Sequence, residues 1–329
     1  DGTINSINIG KGANSVAGNT VLGELALDAA VSGGSNTAVG EQAMQANTTG
    51  NSQVAIGSRA LQNNTTGIQN VAVGRLVLDA NTTGLNNTGL GFNTLSSCTT
   101  GNFNVAMGVN AAVSVTGNSG VTAIGSLALE DNTASHNTAV GYNAAKQNTS
   151  GGSIVAVGYN ALQACTGQRN TAAGSYAGGL TTSGTGNTFM GYAAGYANTT
   201  QDENTAVGYL ALYTNQGVKN NAFGSESLKA TTSGGENSGF GCHTLKNNTT
   251  GGYNVAVGHN SLFDNTTGIR NTAVGTEALY NNITTFDNVA VGYRAAYTNE
   301  QSYQTAVGAY ALYSNGSGEY NTALGYFSG

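Results

Sequence analysis

Asn36-Thr37-Ala38-Val39-Gly40 is the stretch that decides the fold, because it returns along the whole chain. Its glycine recurs at 10, 23, 40, 57, 74, 91, 108, 125, 141, 158, 174, 191, 208, 224, 241, 258, 275, 292, 308 and 325. Fourteen of the nineteen intervals equal the step from Gly23 to Gly40, four are one position shorter, and the first, Gly10 to Gly23, is four positions shorter. This period of about 17 residues is too short for paired helices, which need roughly 30 to 45 residues, or for propeller blades, at about 40; it suits one coil of a β-solenoid. The expected fold class is therefore all-β: a β-solenoid, or β-roll, of twenty repeats in a single domain over 1–329. With rungs about 4.8 Å apart, the stack would extend about 90 Å. The chain starts in mid-pattern at Asp1-Gly2 and stops early in a new repeat at Gly329, so it reads as a segment of a longer fibre, open at both ends.

Each position of the repeat forms a column. The residue before the glycine is apolar in all twenty repeats, as at Val39, Ile56, Val73, Ile124, Val257 and Val274, which are expected to be the structural core. Two residues earlier, eighteen of twenty are Thr, Val or Ile, and this period of two with β-branched enrichment predicts a short strand. Between them stands Ala in fifteen of twenty repeats, which strand alternation sends to the opposite face. A small residue there predicts close approach of other backbone, and the Ala column is the expected axis of a homotrimer. After the glycine a second short strand carrying Ala and Leu is expected, as in Ala60-Leu61 and Ala128-Leu129. Seven residues past the glycine comes a column that includes Asn47, Asn64, Asn81, Asn248 and Asn265, with Cys, Val and Thr as exceptions. It predicts an inward Asn ladder, each amide bonding to its neighbours above and below.

Only 8% of residues are charged, against roughly 25% in an ordinary soluble domain, and there are 50 Gly and no Pro or Trp. The 10 basic residues are scattered singly, so no nucleic-acid partner is expected. No apolar run approaches the roughly 18 residues of a membrane span.

The segments Asn5-Ser6-Ile7-Asn8-Ile9-Gly10 and Asn51-Ser52-Gln53-Val54-Ala55-Ile56-Gly57 resemble the head repeat of trimeric autotransporter adhesins. The fuller unit at Asn204 to Leu212, continued by Asn-Thr-Thr-Gly in other repeats, resembles repeats of phage tail fibres and related bacterial surface proteins. The resemblance covers essentially the entire chain. It implies trimers of β-rolls serving as shafts and heads, with no catalytic residue to carry over.

Chemistry is sparse. Cys98 and Cys165 share a column four rungs apart, about 19 Å, too far for a disulfide. His136, His243 and His259 fall in different columns or rungs, so neither metal site nor cofactor is expected. Glu24 and Glu41, one rung apart, belong to a mixed-charge column rather than a catalytic pair. The column after the glycine carries Tyr142, Tyr159, Tyr192, Tyr209, Tyr293 and Tyr326, exposed rings suited to contact with sugar or protein.

The expected function is a non-enzymatic extracellular fibre, on a bacterial surface or a virion, acting as shaft and attachment surface for cell-surface glycan or protein. A self-polymerising filament is the second expectation. A threonine-laddered ice binder is the third, built on Thr48, Thr65 and Thr82.

Overall fold

The computed structural model describes residues 2–4, 7–29 and 31–329. It is all-β, with coils one sequence repeat long stacked as a β-solenoid, and among the described residues it has one short 3-10 helix, Ala13–Ser15. The chain falls into two compact units, Asp1–Thr166 and Gly167–Gly329, built of the same rung. In the first, parallel strands run from Thr20–Gly23 and Thr37–Val39 to Val155–Val157; in the second, from Thr171–Ala173 to Thr322–Leu324.

Register follows the sequence period. Thr37, Ala38 and Val39 stand opposite Val54, Ala55 and Ile56, and the same columns meet at Val255–Val257 and Thr272–Val274. The shorter rungs keep the register, with Ala139 opposite Ala123 and Ala222 opposite Ala206. The missing residue comes out of the turn: Asn132-Thr133-Ala134-Ser135-His136-Asn137 stands where a longer rung has Asn64-Thr65-Thr66-Gly67-Ile68-Gln69-Asn70.

The first repeat is different. Ile7–Gly10 pairs antiparallel with both Gly2–Ile4 and Thr20–Gly23, so Gly10 is not the corner of a parallel coil. Gly10 therefore stands apart from the corner glycines of the parallel stack, Gly23 to Gly325. Asn5 and Ser6, which open the first adhesin-like segment, lie outside the described residues.

The faces are the reverse of the expectation. Ala38, Ala55, Ala72 and Ala256 are fully buried inside the coil, whereas Ile56, Ile124, Val257 and Val274 are 36–40% exposed and Val39 and Val73 half-buried. The six residues assigned to the core therefore face outward. The Ala column, enclosed by its own chain, is not available as a trimer axis. Leu and the Asn amides fill most of the narrow interior, so in most rungs the inward position of this strand holds only Ala, with Val21 and Phe189 as larger buried exceptions.

The expected second strand is a run of turns. Arg59 and Leu61 have φ of 63° and 50°, in the left-handed region, and the same two positions repeat in later rungs. A left-handed residue breaks strand alternation, so Ala60 and Leu61, adjacent in sequence, both point inward and are fully buried. Backbone hydrogen bonds still pass between rungs here, as from Arg59 N–H to Glu41 O (2.8 Å) and Leu61 N–H to Val77 O (3.0 Å). At the corner, Gly74 has φ 128°, and a Cβ on it would lie 1.6 Å from Gly91 O.

Two asparagine ladders line the interior. Asn47, Asn64, Asn81, Asn248 and Asn265 are fully buried. Nδ2 of Asn64 donates to Asn47 Oδ1 (2.9 Å), Asn81 to Asn64 (2.7 Å) and Asn265 to Asn248 (2.7 Å), and each also caps a glycine carbonyl in its own turn. The second ladder starts the strand motif itself. Asn87 N–H donates to Asn70 Oδ1 (2.9 Å) and Asn104 N–H to Asn87 Oδ1 (3.0 Å), while Asn87 Nδ2 reaches Gly101 O (2.8 Å). Its sequence signal is the Asn that stands four positions before most of the corner glycines, as Asn36 does before Gly40.

Candidate functional site

The post-glycine tyrosines lie on the outside, 42–53% exposed for Tyr142, Tyr159, Tyr192, Tyr209 and Tyr293 and 75% for Tyr326. Where the column carries Tyr in successive rungs, the rungs' own spacing stacks the rings: Tyr142 on Tyr159 at 5.6 Å and Tyr192 on Tyr209 at 5.7 Å between centroids. Tyr293 instead meets Tyr310 edge to face at 5.3 Å.

A second aromatic column, five residues past the glycine, is hidden in the sequence by its mixed composition. In it Tyr196 stacks on Tyr213 at 5.3 Å, and Phe263, Tyr280, Tyr297 and Tyr313 form a continuous pile at 5.0–5.3 Å. Lys229 and Lys246 occupy the two rungs between these groups.

The two columns bound a groove of about 550 Å³ in the second unit. Tyr192 and Tyr209 line one side, Tyr196 and Tyr213 the other, with Ala193 and Leu210 between them and Lys229 also in the lining. Tyr176 stands edge-on to both Tyr192 and Tyr196, at 6.3 Å from each, and closes one end. Stacking covers ring faces, so the walls present hydroxyls and ring edges. Faces are left at the ends of the stacks, where Tyr209 and Tyr213 are followed in their columns by Ser225 and Lys229. A groove of rigid phenols with one ammonium suits a polyhydroxylated ligand, which needs many hydrogen bonds and little flexible closure.

The threonines of the proposed ice face are otherwise engaged. Thr48, Thr65 and Thr82 donate their hydroxyls to the carbonyls of Thr65, Thr82 and Thr99 at 3.0–3.1 Å. They lock the turn rather than present a free hydroxyl lattice.

Cys98 and Cys165 are fully buried in the first Asn column, and burial pushes the Cys98 thiol up to about 11. Cys242 is half-exposed, and here the separation expected of the histidines is corrected. Cys242 and His259 each follow a corner glycine in successive rungs, so stacking brings them together with His243, their ligand atoms within 4.8 Å of one another. No helix among the described residues is long and apolar enough to cross a membrane. No protein-family model matches the chain, and no curated protein matches it.

Proposed function

We propose that the chain is the shaft of a non-enzymatic extracellular fibre, assembled as a homotrimer, which also presents attachment surfaces to cell-surface glycan or protein. The observation that carries this reading is an uncharged ribbon on the outside of the coil, one of its columns apolar throughout and the other mostly Thr and Val. It is made by the residues on either side of the buried Ala, and from Thr20 to Leu324 neither column holds a charged residue. Ile56, Val105, Met107, Val155, Val157, Phe223, Phe240, Val289 and Val291 are all 37–45% exposed along it. An exposed apolar column that continues from rung to rung is a mark of an interface. The same two columns repeat at every rung, so a second and third copy of the chain match it rung for rung. The interface thus lies on the outward Val/Ile/Thr ribbon in place of the Ala column.

The tyrosine groove between Tyr192, Tyr196, Tyr209 and Tyr213 is the favoured contact for glycan. Repetition along a trimeric fibre would let weak contacts add up by multivalency.

Light scattering during size exclusion, with electron micrographs of the peak, tests the assembly. A mass of three chains in wild type, falling to one chain in Val274→Asp/Val291→Asp, supports it. Those positions are 37% exposed in the single chain, so the variant folds with near-normal secondary structure. A monomeric wild type overturns the trimer, and polydisperse long particles would favour end-to-end polymerisation instead.

A further inference from the structure

The geometry points to a binding site for a thiophilic transition-metal ion, zinc(II) being the best fit, held by Cys242, His243 and His259. The ligand atoms of these three side chains lie within 4.8 Å of one another. Thiolate and imidazole are the donors that select zinc and its soft neighbours over calcium or magnesium. Three protein ligands with a fourth position open to solvent is a recurrent zinc arrangement.

Backbone geometry holds the site in place. His243 N–H donates to Ser225 O (2.9 Å), Asn260 N–H to Cys242 O (3.1 Å) and Glu277 N–H to His259 O (2.9 Å), tying the ligand segments into the ladder. Ligand atoms around a tetrahedral zinc stand about 3.3–3.8 Å apart, so these three, within 4.8 Å of one another, must draw in by about 1 Å. His243 and His259 rings are 5.8 Å apart and tilted by 53°, and Phe263 meets His243 edge to face at 6.2 Å.

The surrounding charges are accounted for. Glu226 Oε2 stands 3.6 Å from His243 Nε2, which places a carboxylate behind the imidazole, the outer partner that metal-bound histidines commonly have. That carboxylate also takes Lys229 Nζ at 2.8 Å and Lys246 Nζ at 2.7 Å, so both ammonium groups are engaged with it. Binding deprotonates the Cys242 thiol, the proton going to solvent, and the thiolate offsets part of the ion's charge.

The test uses the full chain, reduced and stripped with chelator, and cobalt(II) as the probe. The expected result is a saturable thiolate-to-cobalt absorption band that zinc(II) displaces. Cys242→Ser abolishes the band, and Cys98→Ser/Cys165→Ser leaves it intact. His259→Asn, an exposed position, weakens binding roughly tenfold or more with an unchanged thermal melt. Zinc(II) also protects Cys242 from alkylation in the native protein. A wild type with no band, or a band that survives Cys242→Ser, overturns the site.

Discussion

At the scale of single residues, the interior keeps its volume by exchange between neighbouring positions. Phe189 occupies a position that is Ala in most rungs, and Gly195 stands where the same rung would carry Leu; a Cβ on Gly195 would lie 2.2 Å from the Phe189 ring. Gly89 makes the opposite exchange, yielding space to Val77, whose Cγ1 would be 2.4 Å from a Cβ there. Gly195→Leu alone is therefore expected to destabilise the second unit by about 3 kcal/mol through overpacking, and Phe189→Ala alone by a similar amount through a cavity. Together they restore the Ala and Leu of the other rungs, and the double variant should recover most of the loss in urea melts. Additive losses would mean that the two positions do not share one space. Glu226 gives a pH dependence at the same scale: hydrogen bonds from Lys229 and Lys246 push its carboxyl down to about 2 from 4.5. A folded value below the unfolded one stabilises above about 4.5 and is lost as pH falls towards 2. The melting temperature of wild type should fall across that window more steeply than that of Glu226→Gln, and parallel curves would remove Glu226 as a contributor.

At the scale of the element, the strand is very short, as in Thr37–Val39, and the ladders make up for its brevity. Each ladder amide bonds both to the next rung and to a turn carbonyl, so one side chain ties two rungs and closes a corner. Asn64→Ala removes the donor to Asn47 Oδ1 and Gly67 O and the acceptor of Asn81 Nδ2. The expected cost is about 2 kcal/mol, and Asn64→Asp should cost more because it buries an unpaired charge. Chemical denaturation of the two variants checks the order, and Asp at or above Ala in stability would refute the ladder's role. The inward Asn ladder was legible because its exceptions, Cys98, Val115 and Thr181, are small residues that tolerate burial. The second strand was not legible as a turn, because Ala-Leu after a glycine has no pattern that reveals left-handed φ. Those angles are held by bonds to the rungs above and below, such as Arg59 N–H to Glu41 O.

At the scale of the whole molecule, the low charge content and the uncharged ribbon belong together: charge is confined to the turns and the faces beside the groove. The proposed trimer, groove ligand and ion site can be tested separately, since Val274, Tyr209 and Cys242 are distinct side chains whose substitutions read out in different assays. By itself, the sequence determined the solenoid, its period, its register and its inward asparagines, because a strict repeat forces like residues to stack and only a single coil fits so short a period. Which face of the strand was inside could not be read, since alternation defines two faces without saying which one the coil closes upon. Apolar Val and Ile pointed to the wrong one. Tertiary structure decided it through space: Leu61 and its equivalents, with two columns of amides, leave room for little more than Ala in most rungs, and the flanking branched residues turn outward. The meeting of Cys242, His243 and His259 was decided in the same way, by stacking residues that sequence separation keeps a full rung apart.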